Sequence, residues 1–384
     1  MKLNTHHCLT ATAIALLGTS AQAQNAGLTV TAGKASVTLY GLIEPTISYI
    51  DHATAAGGHH AGYQTPWFSG SRLGFTGKHD LGDSGLQAIF RLEAEFVPQD
   101  GSQDTPNVIF NRDAWAGLQS DVIGKISFGR QNAVGRDISA IYGDPYGNSS
   151  VTTEEGGYSN TNNFKALVYY GGSATGTRYD NGVVWKKAFD SGLVAAVGFQ
   201  FGNVNGDFPK GQTKTLGLGY NAGPFHVAGF VNSANVNHNN HRAFSVGGDY
   251  DIGVWRLGGG VWHYTADQAA AIGSRKDNAF TLHVKFAPAG KLDYTLGYVN
   301  IKATNAAVNG AGNVLNPFAD AGAATKAATG SRATFYGAAM YHFDKTTEVY
   351  VAADHLTLKD GYHIAATNGF MTQTELAVGL RLRF

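Results

Sequence analysis

A single cysteine, Cys8, stands in the 384-residue chain, and it lies so close to the N-terminus that no disulfide framework can hold the fold. Proline is sparse, at 9 residues, and only 15% of positions are charged. Lys plus Arg and Asp plus Glu both number 28, so no global field points to nucleic acid or to an acidic partner. No apolar run approaches 18 residues, which excludes helical membrane spans. What the chain has in excess is glycine. Its 51 glycines are nearly twice the usual share of about 7% and argue against a helix-rich protein, because glycine weakens helix interiors. The length suits two or three soluble domains or one large all-β unit.

The first residues read as a secretory signal. Lys2, His6 and His7 form a polar start, Leu9 to Leu17 a short apolar core, and Ala21-Gln22-Ala23 a small-x-small cleavage pattern. This predicts a signal peptide over 1–23 and a mature domain over 24–384. Cys8 leaves with the signal, so the exported chain must find its stability elsewhere.

Beyond residue 34 the chain alternates. At the C-terminus Leu376, Val378, Leu380, Leu382 and Phe384 fall on one parity, and Glu375, Ala377, Gly379, Arg381 and Arg383 on the other. Successive strand side chains point to opposite faces, so this is a strand with one apolar face and one polar or small face. Sixteen such segments are predicted: 35–50, 70–80, 85–97, 109–119, 124–131, 178–187, 191–202, 213–222, 224–234, 241–250, 254–265, 278–287, 291–302, 332–343, 347–358 and 373–384.

The connections alternate too. Short ones carry turn residues, as in Leu81-Gly82-Asp83-Ser84, Gly223-Pro224 and Asp344-Lys345. Long ones are polar and rich in Gly and Asn: 51–69, 98–108, 132–177, 203–212, 235–240, 266–277, 303–331 and 359–372. Short turns at one end, long loops at the other and strands of about 10 residues predict an all-β, 16-stranded antiparallel transmembrane β-barrel. The apolar parity then faces hydrocarbon and the polar parity a water-filled lumen, too wide for side chains to fill. Closure removes sheet edges and replaces the missing disulfides as the source of stability. Tyr40, Tyr49, Trp115, Trp185, Trp255, Tyr264, Tyr298 and Tyr341, near strand ends, are candidates for interfacial girdles.

Several motifs resemble the trimeric general porins of proteobacterial outer membranes. They are Ser71-Arg72-Leu73-Gly74-Phe75-Thr76-Gly77, Gly85-Leu86-Gln87-Ala88, Phe110-Asn111-Arg112-Asp113-Ala114-Trp115 and Ile126-Ser127-Phe128-Gly129-Arg130-Gln131, with Phe384 at the end. The resemblance covers the whole mature chain. It implies a homotrimer in the outer-membrane bilayer that passes small hydrophilic solutes and ions, and a third extracellular loop folded inward to form a constriction. Here that loop is 132–177, the longest of the connections.

The resemblance also implies basic wall residues facing acids on the loop. Arg72 and Arg112 match family arginines, and Arg178 sits where anion-preferring members carry another. Parity agrees for Arg72, since Leu73 and Phe75 must face lipid. Arg91 shares the lumen parity, while Arg130 shares parity with Ile126 and Phe128 and its direction is open. The loop offers Asp137, Asp144, Glu154 and Glu155; Asp144, Glu154 and Glu155 are the candidate acidic side. Arginines focused at a narrow point favour anions weakly.

Other chemistries find less support. His59-His60 and His238 with His241 lie among Asn and Gly without metal-ligand spacing, so neither metal nor cofactor is expected. Gly217-Leu218-Gly219 opens no helix, and no Gly-x-Ser-x-Gly elbow is present. A barrel enzyme would need a nucleophile and base that nothing marks as a pair, so no enzyme is expected. A surface receptor would have to use long loops such as 303–331. A solute-specific channel is the nearer alternative, with Tyr142, Tyr146 and Tyr158 as ring-stacking candidates.

Overall fold

The computed structural model describes residues 27–82, 84–147, 150–154 and 163–384. The predicted signal segment 1–23, Glu155 and Tyr158 lie outside the described residues. The strands are β1 (Leu28–Ala32), β2 (Ala35–Ile43), β3 (Thr46–Ile50), β4 (His60–Gln64), β5 (Arg72–Asp80), β6 (Gln87–Glu95) and β7 (Asp113–Ser120). They continue with β8 (Gly124–Asn132), β9 (Arg178–Ala188), β10 (Leu193–Gln200), β11 (Thr213–Ala222), β12 (Phe225–Val236) and β13 (Asn239–Ile252). The last six are β14 (Trp255–Ala266), β15 (Arg275–Phe286), β16 (Leu292–Ala307), β17 (Ala327–His342), β18 (Thr347–Asp360) and β19 (Thr372–Arg383). One helix, α1 (Val134–Gly143), lies in the third long connection, followed by a 3-10 segment over Asn163–Gly171.

All the pairings are antiparallel between neighbours, and the sheet closes where β19 returns to β2 and β3, with Leu382 opposite Ile43 and Val378 opposite Ile47. The result is a closed 16-stranded barrel. β2 and β3 form one wall strand broken at Glu44-Pro45, where proline has no N–H for the ladder. β4 and β5 form the next, broken at 65–71, and β1 is an extra strand in line with β19 along the edge of β2. Backbone bonds between Gly41 and Phe384 tie the chain end to the same edge.

Three local expectations are corrected. His60–Gln64 is a strand inside the predicted 51–69 loop; its alternation is only five residues long, with Ala61 and Tyr63 outward, and pairing with β3 continues the wall there. The 235–240 connection is a two-residue hairpin turn, with Asn237 and His238 both at positive φ (49° and 70°), as such turns require. Tyr40, Trp115 and Tyr264 are buried on the lumen side and belong to no girdle.

The barrel is polar within and apolar without. On β15, Leu282 is 62% exposed on the outer face while its neighbour Thr281 is 1% exposed toward the lumen. Leu216, Phe244, Val351 and Val378 repeat the outward pattern. In water such a band would exceed the few hundred Å² of apolar patch a soluble monomer tolerates, whereas hydrocarbon accepts it and leaves no backbone group unpaired. Among the described residues no helix is long and apolar enough to cross a membrane; the crossing is made by strands.

Candidate functional site

The third long connection lies against the lumen face of the wall. Within it Val134, Ile138, Ile141 and Tyr142 recur at helical spacing, and every residue of α1 is buried. Two glycines make the docking possible. A Cβ on Gly217 would come within 2.0 Å of Ile138, and one on Gly247 within 2.3 Å of the Tyr142 ring. Both share the parity opposite the exposed Leu216, Leu218 and Phe244, so they are on the lumen side. The Tyr142 hydroxyl lies 2.7 Å from that of Ser245, which fixes the end of the helix.

At the other end Asp137 sits in the first turn, where the helix dipole favours a carboxylate. It accepts from Asn132 Nδ2 at 2.8 Å and from Lys186 Nζ on β9 at 2.6 Å. Further along, the 3-10 segment brings Phe164 against Tyr336, with ring centroids 4.6 Å apart, and against Trp67, at 5.1 Å. Trp67 and Phe68 come from the break at 65–71, which also projects inward; the Lys165 ammonium donates to the Phe68 carbonyl. This sector of the lumen is filled by rings.

Strands β5 to β9 carry charge. Glu93 is at the centre, its side chain 1% exposed. It accepts from Arg91 Nη2 at 2.8 Å, from the Tyr40 hydroxyl at 2.8 Å and from Arg112 Nε, while Arg72 Nη1 stands 3.9 Å away. Arg112 Nη1 also donates to Glu95 at 2.5 Å, and Arg91 Nε lies 3.1 Å from Asp113. Register explains the cluster: Arg72 is directly opposite Glu95 and Thr76 opposite Arg91, so these side chains share one face of the β5–β6 ladder. Arg178, half-buried at the start of β9, and Arg136 on α1 are both within electrostatic reach of Arg112. Arg136 Nη1 donates to Asn132 Oδ1 at 2.7 Å. Burial first, then repulsion from Arg178 and Arg112, pulls the Arg136 guanidinium well below its ordinary value.

The structure therefore brings Arg72, Arg112 and Arg178 together and adds Arg91 and Arg136. The carboxylates in contact with these arginines differ from those read off the loop. They are Glu93, Glu95 and Asp113, supplied by the wall because cross-strand register puts them beside the arginines. Asp144 ends α1, accepts from the Tyr146 N–H at 3.0 Å and faces Lys165. Glu154 is exposed, 3.8 Å from Lys125, and that ammonium holds its carboxyl below the ordinary value. Glu93 and Glu95 share the parity of Arg91, a signal that could have found them; helical spacing at 134–142 could have found α1.

The Tyr142 ring packs on Gly247 of the wall, while Tyr146 meets Phe68 of the 65–71 break at 4.5 Å and Phe164 of its own loop at 5.9 Å. Arg130 pairs with Asp180 and donates to the Asn111 carbonyl at 2.7 Å, near a register shift at Gly129. Among the described residues no group of three or more His, Cys, Asp and Glu side chains is placed to hold a metal.

Comparison with known proteins agrees with this architecture. A family model described as Gram-negative porin matches residues 10–361. An outer membrane porin protein of Bordetella pertussis is 32% identical over 255 residues, covering 58% of this chain and 62% of its own length. The matched stretch thus spans less than two thirds of that relative. Among solved structures, an anion-selective porin from Comamonas acidovorans superposes with a TM-score of 0.71 at 21% identity, covering 91% of this chain and all of its own. OmpT of Vibrio cholerae, in a trimer form, gives 0.62 at 16% identity, covering 92% of this chain and all of its own.

Proposed function

Because the chain belongs to the Gram-negative porin family, we propose that it forms a water-filled outer-membrane channel for passive diffusion of ions and small hydrophilic solutes, with a weak preference for anions. The observation that carries the preference is the composition of the charged wall. Arg72, Arg91, Arg112 and Arg178 on the wall outnumber Glu93, Glu95 and Asp113, α1 adds Arg136, and Asp137 is engaged by Lys186. In a narrow lumen with little screening water the excess guanidinium field is felt by any ion that passes. Arg72, Arg112 and Arg178 are the wall groups that bias permeation; Asp144, Glu154 and Glu155 on the loop moderate that bias.

The Comamonas relative is named as anion-selective and the Vibrio one has a trimer form, which supports a weakly anion-preferring homotrimer here. The channel acts by diffusion, without catalysis, as the porin name of the Bordetella relative also indicates. Purified protein in a planar bilayer under a KCl gradient tests this. Steps that close in threes, with a zero-current potential of the sign set by chloride, are expected. Absence of conductance from folded protein would refute the channel, and a cation-set sign would refute the preference.

A further inference from the structure

The connection between β16 and β17 is a long polar loop in the sequence, yet the structure fastens it inside the mouth. Phe318 is 3% exposed. Its ring stacks on His241, 5.9 Å between centroids at 28°, and meets Tyr264 at 5.3 Å. Its N–H donates to the Tyr264 hydroxyl at 2.9 Å, and the same hydroxyl lies 2.7 Å from His241 Nδ1. His241 and Tyr264 are on β13 and β14 with their side chains toward the lumen, beside the outward Arg242 and Phe244. From its roots on β16 and β17 the loop therefore leans across β15 and β14 to β13, roughly 14 Å at the spacing of neighbouring strands.

A second fastening ties it to the inward loop. Arg275 Nη1 donates to the Leu315 carbonyl at 2.6 Å while its Nη2 holds Asp277 at 2.7 Å. Asp277 in turn accepts from the Tyr170 hydroxyl, on the 3-10 segment of the inward loop, at 2.8 Å. Phe318 keeps φ at 64°, a left-handed conformation that an aromatic residue rarely adopts and that its surroundings must enforce.

Resting on the channel reading, we propose that residues 308–326 form a fixed second constriction at the long-loop end, in series with the arginine cluster, and that Phe318 is a positioning residue that sets the size limit for solutes. The two constrictions divide the task. The arginine cluster sorts by charge; the second constriction, latched by the rings of Phe318, Tyr264 and His241, sorts by size.

The test compares wild type, Phe318→Ala and a deletion of 309–325, with gel mobility of unheated samples as the check that each barrel is folded. Single-channel conductance, swelling of liposomes in sugars of graded size, and zero-current potential are measured. Opening the cross-section should raise conductance by roughly half in Phe318→Ala and up to about twofold in the deletion. Larger sugars should enter, and the zero-current potential should stay where it was. Phe318→Leu, which keeps the plug apolar, should stay near wild type. Equal conductance and an equal sugar limit in wild type and the deletion would overturn the inference alone. Silence of all the folded proteins would overturn the channel reading together with it.

Discussion

On one side of the lumen, β11 and β13 turn Gly217 and Gly247 inward, and α1 rests on the bare backbone there with Ile138 and Tyr142. On the other, β5 to β9 turn arginines and carboxylates inward, and α1 meets that side through charge, with Arg136 near Arg112 and Asp137 on Lys186. The contrast shows one loop held by shape on one side and by an ion pair, Asp137 with Lys186, on the other. Docking is achieved through shape, by glycines that leave room for an apolar helix face. On the reading proposed above, selectivity is left to a wall whose counter-charges are fixed by register.

The largest effect should come from breaking the charged side. Removing the buried Glu93 carboxylate, as in Glu93→Ala, leaves Arg72, Arg91 and Arg112 facing one another without their shared partner. Loss of one partner of a buried ionic group costs about 3–5 kcal/mol. Denaturant unfolding of the folded barrel should show a drop of that order, and the surviving channels should prefer anions more strongly; unchanged stability would mean the cluster is hydrated.

The docking side should break next. Gly247→Leu drives a side chain into Tyr142, and overpacking of this kind costs about 1–3 kcal/mol. With α1 pushed toward the arginines, single-channel conductance should fall while the sign of the zero-current potential persists. A conductance equal to wild type would show that α1 does not narrow the pore.

The smallest effect belongs to Glu154. Its carboxyl, held below the ordinary value by Lys125, stays charged as the pH falls through 4.5, its unperturbed value, and protonates only below that. The folded value is depressed, so the pair stabilises the loop above the unfolded value and loses its contribution as the pH falls through the folded one. With Glu154 exposed and the pair 3.8 Å long, it contributes about 0–1 kcal/mol. Glu154→Gln should leave unfolding at pH 7 nearly unchanged, with a slight rise in anion preference. A large destabilisation would assign Glu154 a structural role.

The barrel was legible because lipid enforces alternation: a strand such as Gln373–Phe384 declares both its faces in its own residues. Arg72 was legible for the same reason, since Leu73 and Phe75 leave it only the lumen. What alternation does not carry is pairing between strands. Glu93 meets Arg112 through the β6–β7 register, and no local pattern in either segment announces that meeting. The inward placement of Tyr40, Trp115 and Tyr264 was missed because an aromatic residue near a strand end satisfies the girdle pattern on either face. Loops hid the rest. Asn237-His238 makes a tight turn from residues that look like a longer coil, and Phe318 looks like an isolated ring in a polar segment until Tyr264 and His241 are placed beside it.

The arginine wall is proposed to set the ion preference. Its most direct test is the zero-current potential in a KCl gradient for wild type and for the double variant Arg72→Ser with Arg112→Ser. A chloride-set sign is expected in the wild type and a shift toward potassium in the variant, with conductance retained. An identical potential in the two proteins would contradict it.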